Sequence, residues 1–413
     1  MAVVAPGAAD LPSLWRNLVE GRSAVGPITR FDAAAYPTRI AAEVEERVED
    51  GGVRLDRISR FALSAANGAV LDSGLLRGPL DPRRVGVLAA TGLGCYDHEE
   101  VFASCAAARP AGSETFDREA FARTFRAVVK ERAPERRTPG SVPALLARHF
   151  RFSGPAMAVM TACAAGTQAI GDATRWIRMG RADAVLVGGA DSEIYPMGLA
   201  SFCLLGALSR RNGAPGEASR PFDAGRDGFV LGEGAGFLVL EERERALERG
   251  ARVWAEVAGF GSADDAYRVT DPHPEGRGAI AAMRRAAVDA GIAPEEVAYV
   301  NAHGTSTVAN DRIETTALRA FLGAAAPAVP ISSTKSMIGH LTVAAGAVEA
   351  IVTAMTVHEG LIHPTANLEH PDPECDLDYV PGCARRRAVP VALSSSFAFG
   401  GQCASLVLRA HGG

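Results

Sequence analysis

The chain has 413 residues, 47% hydrophobic and 22% charged, which suits two ordinary globular domains or two halves of one large core. A net charge of -5 speaks against a nucleic-acid partner, and no run of about 18 uncharged apolar residues marks a membrane span. Seven scattered cysteines without CxxC spacing, and a start (MAVVAPGAADLPSLW) with no basic stretch before an apolar core, predict reduced thiols, a cytoplasmic setting and no zinc site.

In chain order, Leu11–Glu20 reads as a helix. Arg57–Leu71 reads as another, with Ile58, Phe61, Ala62, Ala65 and Ala69 on one face. Val85–Ala90 is fully apolar, the mark of a strand buried on both sides, and Thr91–Gly94 turns out of it. Residues 95–140 form an excursion from the core. Within it Asp117–Arg132 is a charged helix with Phe121, Phe125, Val128 and Val129 on one face: a solvated helix, a subunit contact or a tunnel wall. The apolar run Ala156–Met160 then leads into TACAAGTQAIGDA (Thr161–Ala173), where strand gives way to a helix of small residues. Asp183–Asp191 is a second buried strand. Gly225–Glu242 contains GEGAG, but this leads into strand-like FLVLEE rather than opening a helix, so it reads as closely packed backbone and not a phosphate loop.

Near residue 255 the pattern begins again, giving halves 1–254 and 255–413. Val253–Gly261 reads as a strand, Gly278–Gly291 as an Ala-rich helix ended by glycine, and Val297–Val300 as a strand running into NAHGTST. Val329–Ser333 is a strand before KSMIGH. The helix Ala344–His358 and the strands Ala388–Ser394 and Ser405–Leu408 follow. Alternating strands and helices argue for mostly parallel sheets covered by helices. In an internal duplication, two reactive loops would meet at one seam.

Cys163 lies where strand becomes helix. Free N–H groups of the first turn and the helix dipole favour its thiolate, the nucleophilic form. His303 and His340 lie far along the chain. Of 43 basic residues only Lys130 and Lys335 are lysine, so Lys335 marks a place where arginine does not serve. A cysteine and two histidines fit a hydrolase, or acyl transfer in which neutral imidazoles stabilise an enolate left by departing CO2. The spacing offers no local ligand pair for a metal. Glu349, alone in the apolar AAGAVEAIVTAM, needs partners and is expected in a structural hydrogen-bond network.

Taken together, TACAAGTQAIGDA, RPFDAGRDGFVLGEGAGFLVLEE, VNAHGTST with Asp311 and Glu314, SSTKSMIGH and SSFAFGG resemble the β-ketoacyl-acyl carrier protein synthases, from about Leu14 to Leu408. The likeness is closest to the elongating type II fatty acid enzyme and its polyketide relatives. It implies an α/β thiolase-like duplicated fold in five layers, αβαβα, and a dimer: a homodimer or a heterodimer with a chain-length-factor-like subunit. Cys163 would hold the acyl group. His303 and His340 would assist decarboxylation, Lys335 is the lysine of the KSxxGH motif, and Glu314 its acidic companion near the second histidine. The N–H groups of Cys163 and Phe399 would form the oxyanion hole. Thr305 and Thr307 would contact the phosphopantetheine arm, and Phe399 with Ala398 would gate the acyl pocket. No metal or nucleotide cofactor is implied; the prosthetic arm comes with the acyl carrier protein. That partner is acidic, and Arg57, Arg60, Arg210 and Arg211 are candidate docking residues.

The sequence departs from the family in places. The opening apolar strand is missing, with Met1 inside it or just after it, which would leave a sheet edge unpaired. Residues 111–137 are longer and more charged. Ser395, Ala398, Gln402, Cys403 and Ile338 replace the usual residues and lean toward a specialised polyketide or polyene pathway. The reading is a condensing ketosynthase; a housekeeping fatty acid enzyme, a non-catalytic partner subunit and a Cys-His hydrolase are the alternatives.

Overall fold

The computed structural model describes residues 1–45, 55–92, 98–109, 112, 114–130 and 138–412. Parts of the turn Thr91–Gly94, of the helix Asp117–Arg132 and of the insertion 111–137 therefore lie outside the described residues.

The first half holds strands β1 (Ala2–Val4), β2 (Val85–Ala90), β3 (Ala156–Val159), β4 (Ala184–Ser192) and β5 (Glu233–Glu241). The second holds β6 (Glu256–Asp264), β7 (Tyr299–Asn301), β8 (Ile331–Ser332), β9 (Val391–Phe397) and β10 (Gln402–Arg409). The sheet orders are β1-β5-β4-β2-β3 and β6-β10-β9-β7-β8. In each, the later three strands of the order run parallel, and the first two are antiparallel to their neighbours. Strand order, chain order and direction coincide, as a duplication requires.

Three helices accompany each sheet. They are α1 (Arg57–Ser73), α2 (Ser141–Phe150) and α3 (Ala165–Arg178), then α4 (Arg277–Ala290), α5 (Val308–Leu322) and α6 (Ala345–Glu359). Period-two alternation sorts the strand residues between layers. Val85, Val87 and Ala89 of β2 pack with α1 and α2, while Leu88 and Ala90 face the middle with α3 and α6. On β10, Leu406 and Leu408 face the middle and Val407 joins α4 and α5 on the far side. The five layers αβαβα follow. Helix α6 is buried from Ala345 to Val357, which explains its apolar residues on every side.

The two middle helices cross at glycines. A Cβ on Gly166 would stand 2.5 Å from the Ala347 nitrogen, and one on Gly346 would stand 2.2 Å from Thr167 Oγ1. That crossing brings the two loops that precede α3 and α6 to one seam.

One expectation is corrected. The opening strand is present: β1 is short, but it pairs antiparallel with β5 through Ala2–Phe237, Val3–Gly236 and Val4–Ala235. Three residues suffice to cover the part of the β5 edge beside the seam. The GEGAG segment packs as read, since a Cβ on Gly234 would meet the Val4 carbonyl at 2.2 Å. In the excursion, which holds the helices His98–Ala108 and Arg118–Lys130, Phe121 and Phe125 of the second helix stack and Phe116 just before it tilts against Phe121, with successive rings 5.7 Å apart. No helix among the described residues is long and apolar enough to cross a membrane.

Candidate active site

Cys163 enters the site on a turn between β3 and α3. Ala162 takes φ 45°, a left-handed conformation that costs a non-glycine residue free energy and is held only by surrounding structure. The Thr161 carbonyl accepts the Ala164 N–H at 3.0 Å and closes the turn.

His303 lies on the loop from β7 to α5. From α5, Glu314 accepts the N–H of His303 at 2.8 Å and of Gly304 at 2.7 Å, so one carboxylate fixes the loop. Gly304 has φ 37°, and a Cβ there would fall 2.6 Å from the Ser333 Cβ, so the position needs glycine. His340 follows a tight bend at Gly339. Its N–H donates to the Val230 carbonyl at 2.8 Å, and its carbonyl accepts the Gly232 N–H at 2.9 Å. The glycine-rich segment of the first half thus grips the second histidine.

All three side chains line one cavity of about 320 Å³, together with Thr305, Thr307, Ala398 and Phe399. The imidazole rings of His303 and His340 are 5.4 Å apart and nearly perpendicular. Two aromatic rings missed in the sequence flank them: Phe229 lies 5.4 Å from His340 and Phe397 5.7 Å from His303. Both sit in recognised motifs, RDGFVLG and SSFAFGG, but nothing in their spacing marks them. Thr305 and Thr307 share a hydroxyl–hydroxyl hydrogen bond of 2.9 Å.

Burial decides the charge states. Both histidines are held well below the usual imidazole range, first by burial and then by the nearby Lys335 ammonium; His303 also feels His340. They are neutral, each with one N–H to offer. His340 Nδ1 accepts the Thr342 N–H at 3.2 Å, so its hydrogen sits on Nε2. Lys335 donates to Glu349, and both side chains are buried. This corrects the companion role expected of Glu314, whose oxygens are occupied by the His303 loop. It also gives Glu349 the structural partner expected of it. Burial pushes Glu314 and Glu349 each up to about 7, helped by Asp311 for the first; two backbone N–H groups and the Lys335 charge oppose it at Glu314, and Lys335 opposes it at Glu349.

The half-buried thiol meets an influence opposed to the helix start. Burial pushes Cys163 up to about 11; Lys335 and a backbone hydrogen bond pull it down, while Asp191 and Glu349 push it up. A second correction concerns docking. Arg57 binds Glu233 through Nε at 2.8 Å and lies 4.6 Å over the Phe61 ring, and Arg211 Nη2 is held at 3.0 Å by the Gly225 carbonyl. Arg57 is thus a structural pin, because β5 presents a buried carboxylate that needs a cation. Arg60 is half-buried, and of the four only Arg210 is exposed.

Residues 1–246 match the model of the beta-ketoacyl synthase N-terminal domain, and residues 254–369 match that of the C-terminal domain. A 3-oxoacyl-[acyl-carrier-protein] synthase 2 from Synechocystis sp. is 41% identical, covering 100% of this chain and 97% of that protein. One from Coxiella burnetii is 39% identical over 99% and 96%. Among solved structures, a type II polyketide synthase ketosynthase in complex with its acyl carrier protein and bound to the hexaketide superposes with a TM-score of 0.87 at 33% identity, covering 99% of this chain and 97% of that one. The ishigamide ketosynthase/chain length factor superposes with a TM-score of 0.87 at 34% identity, covering 100% and 98%.

Proposed function

The chain belongs to the β-ketoacyl synthase family and is an acyltransferase of the 3-oxoacyl-[acyl-carrier-protein] synthase type; on that premise we propose that it condenses acyl thioesters with malonyl carrier in a type II polyketide or polyene pathway. The observation that carries the chemistry is the single cavity in which a thiol faces two neutral imidazoles.

In the first half-reaction the Cys163 sulfur attacks the acyl thioester carbonyl. The carrier thiol leaves with the proton that the cysteine gives up. In the second, the malonyl thioester breaks its bond to the carboxylate and releases CO2. The electron pair becomes an enolate, whose oxygen accepts N–H bonds from His303 and His340. Two N–H donors on neutral rings stabilise that charge best in a buried site. The enolate carbon then attacks the acyl-cysteine carbonyl, the carbon–sulfur bond breaks, Cys163 leaves as its thiolate and takes a proton from water, and the product is a 3-oxoacyl carrier two carbons longer. The N–H groups of Cys163 and Phe399 serve the thioester oxygen in both steps. Thr305 and Thr307 border the path of the phosphopantetheine arm, and Phe399 with Ala398 gates the acyl pocket. The arm arrives with the carrier, and no metal or nucleotide takes part.

The edge strand β3 supports a dimer. It presents Met157, with Met160 just past its end, each 41% exposed, beside the nucleophile turn; among the described residues this apolar edge is open, and such an edge pairs readily with another strand. Ala398, Ser395 and Ile338 support the specialised pathway. The 41% identity to a synthase 2 supports fatty acid elongation as the second reading. The deciding measurement is intact mass of carrier products from saturated and polyunsaturated acyl carriers. A strong preference for unsaturated primers is expected, and a preference for saturated ones overturns the pathway. Co-purification with a paralogue lacking the cysteine would establish the heterodimer.

A further inference from the structure

The duplication gives the protein two turns of one kind. Ala162 has φ 45° and Thr342 has φ 49°; each is followed by a single tight turn and then a middle helix. Val343 therefore stands where Cys163 stands in the first half. In the second turn the donors are already taken. The Thr342 hydroxyl donates to Asp191 Oδ2, and the Val343 N–H donates to the same oxygen at 3.2 Å. The other oxygen, Oδ1, accepts the Ser192 N–H at 3.0 Å.

Asp191 is the buried end of β4, so it reaches the turn from the opposite half of the molecule. Thr342 is also the residue whose N–H meets His340 Nδ1. A continuous path runs from the carboxylate through the turn to the histidine ring.

The location has a cost. A buried carboxylate must be matched by donors, and this one also lies near Glu193. Its charge pushes the Cys163 thiol up, opposite to what acylation needs. Its use is therefore to be sought at the histidine.

We propose that Asp191 is a positioning residue: it locks the Thr342–Val343 turn, and through the Thr342 N–H it fixes the orientation and Nε2-protonated form of His340 for the malonyl half-reaction. This rests on the ketosynthase reading.

Two half-reactions separate the effect. Thr342→Val keeps the shape and removes the hydroxyl, and Asp191→Ala removes the acceptor. Misplacing a reacting group by about 1 Å costs on the order of a hundredfold. Both variants should lower kcat for malonyl-carrier decarboxylation by about tenfold to a hundredfold, with KM little changed. Acylation of Cys163, read by intact mass, should stay within about twofold in Thr342→Val, since the first turn is untouched, and should not fall in Asp191→Ala, which removes a charge that pushes the thiol up. Thr342→Ser should restore decarboxylation. In 15N spectra the Nε2-protonated form of His340 should be dominant in the wild type and in Thr342→Ser, and diminished in Thr342→Val. Unchanged decarboxylation and tautomer in Thr342→Val and Asp191→Ala overturn the proposal. So does an equal fall of acylation, decarboxylation and thermal midpoint in both. A wild-type chain that forms no 3-oxoacyl product sinks the ketosynthase reading alone, and the tautomer measurement still decides this one.

Discussion

The turn at Ala162–Cys163 and the turn at Thr342–Val343 have matching backbones and opposite surroundings. The first presents a thiol to a cavity; the second lends that cavity Thr342 but not Val343, which is 6% exposed. Backbone strain is usually taken as a pointer to function. Here an equally strained turn persists without any nucleophile, so strain does not mark the chemistry. What both turns share is the helix that follows, and those helices touch at Gly166 and Gly346. Close packing at the seam fixes both turns, and the identity of one residue makes one of them reactive.

Breaking the reactive turn has the largest expected effect. Cys163→Ala should abolish the acyl adduct seen by intact mass after incubation with acyl carrier. Adding Val343→Cys to that variant should not restore it, because the second turn is buried and held by Asp191. An adduct on the relocated thiol would show that the two turns are equivalent sites. The shared cause is tested at the crossing. Gly166→Ala puts a methyl against backbone with no flexible side chain to yield, and overpacking of this kind costs about 1–3 kcal/mol. The thermal midpoint should fall, and Gly346→Ala should lower it similarly. A neutral result at both would remove the seam as the common support.

Much of this was legible in the sequence. Period and composition placed nearly all the strands, and the repetition after residue 255 foretold two matching sheets. Cys163, His303 and His340 stood in recognisable motifs, and the structure brings them to one cavity. The failures share a physical origin. Arg57 looked like a surface cation because its partner Glu233 lies 176 positions along the chain. Glu349 rather than Glu314 takes the Lys335 hydrogen bond, and no spacing tells which buried acid does so. Asp191 read only as the end of a buried strand, since its contact with Thr342 crosses between the halves. The opening strand looked absent because three residues carry too little pattern.

The thiol, where helix start and burial oppose each other, yields the last prediction. A helix start stabilises a nearby charge by roughly 0.3–1 kcal/mol. Desolvation can shift a buried group by several units, each about 1.4 kcal/mol. On those magnitudes desolvation outweighs the helix start, and a thiol pushed up to about 11 leaves roughly one thiolate in ten thousand at neutral pH. Only the thiolate is alkylated, so the iodoacetamide rate at Cys163 should climb about tenfold per pH unit without levelling off below pH about 10. Cys163→Ala serves to subtract the other cysteines. Asp191→Asn removes a neighbouring negative charge and should move the curve toward lower pH, whereas loss of a dipole-stabilised thiolate would leave it unmoved. A rate that levels off near pH 7 would restore the helix start as the dominant influence. A high value places the reactivity in the bound state: the proton leaves as the sulfur attacks, and the free enzyme keeps a protonated thiol in the cavity that His303 and His340 share.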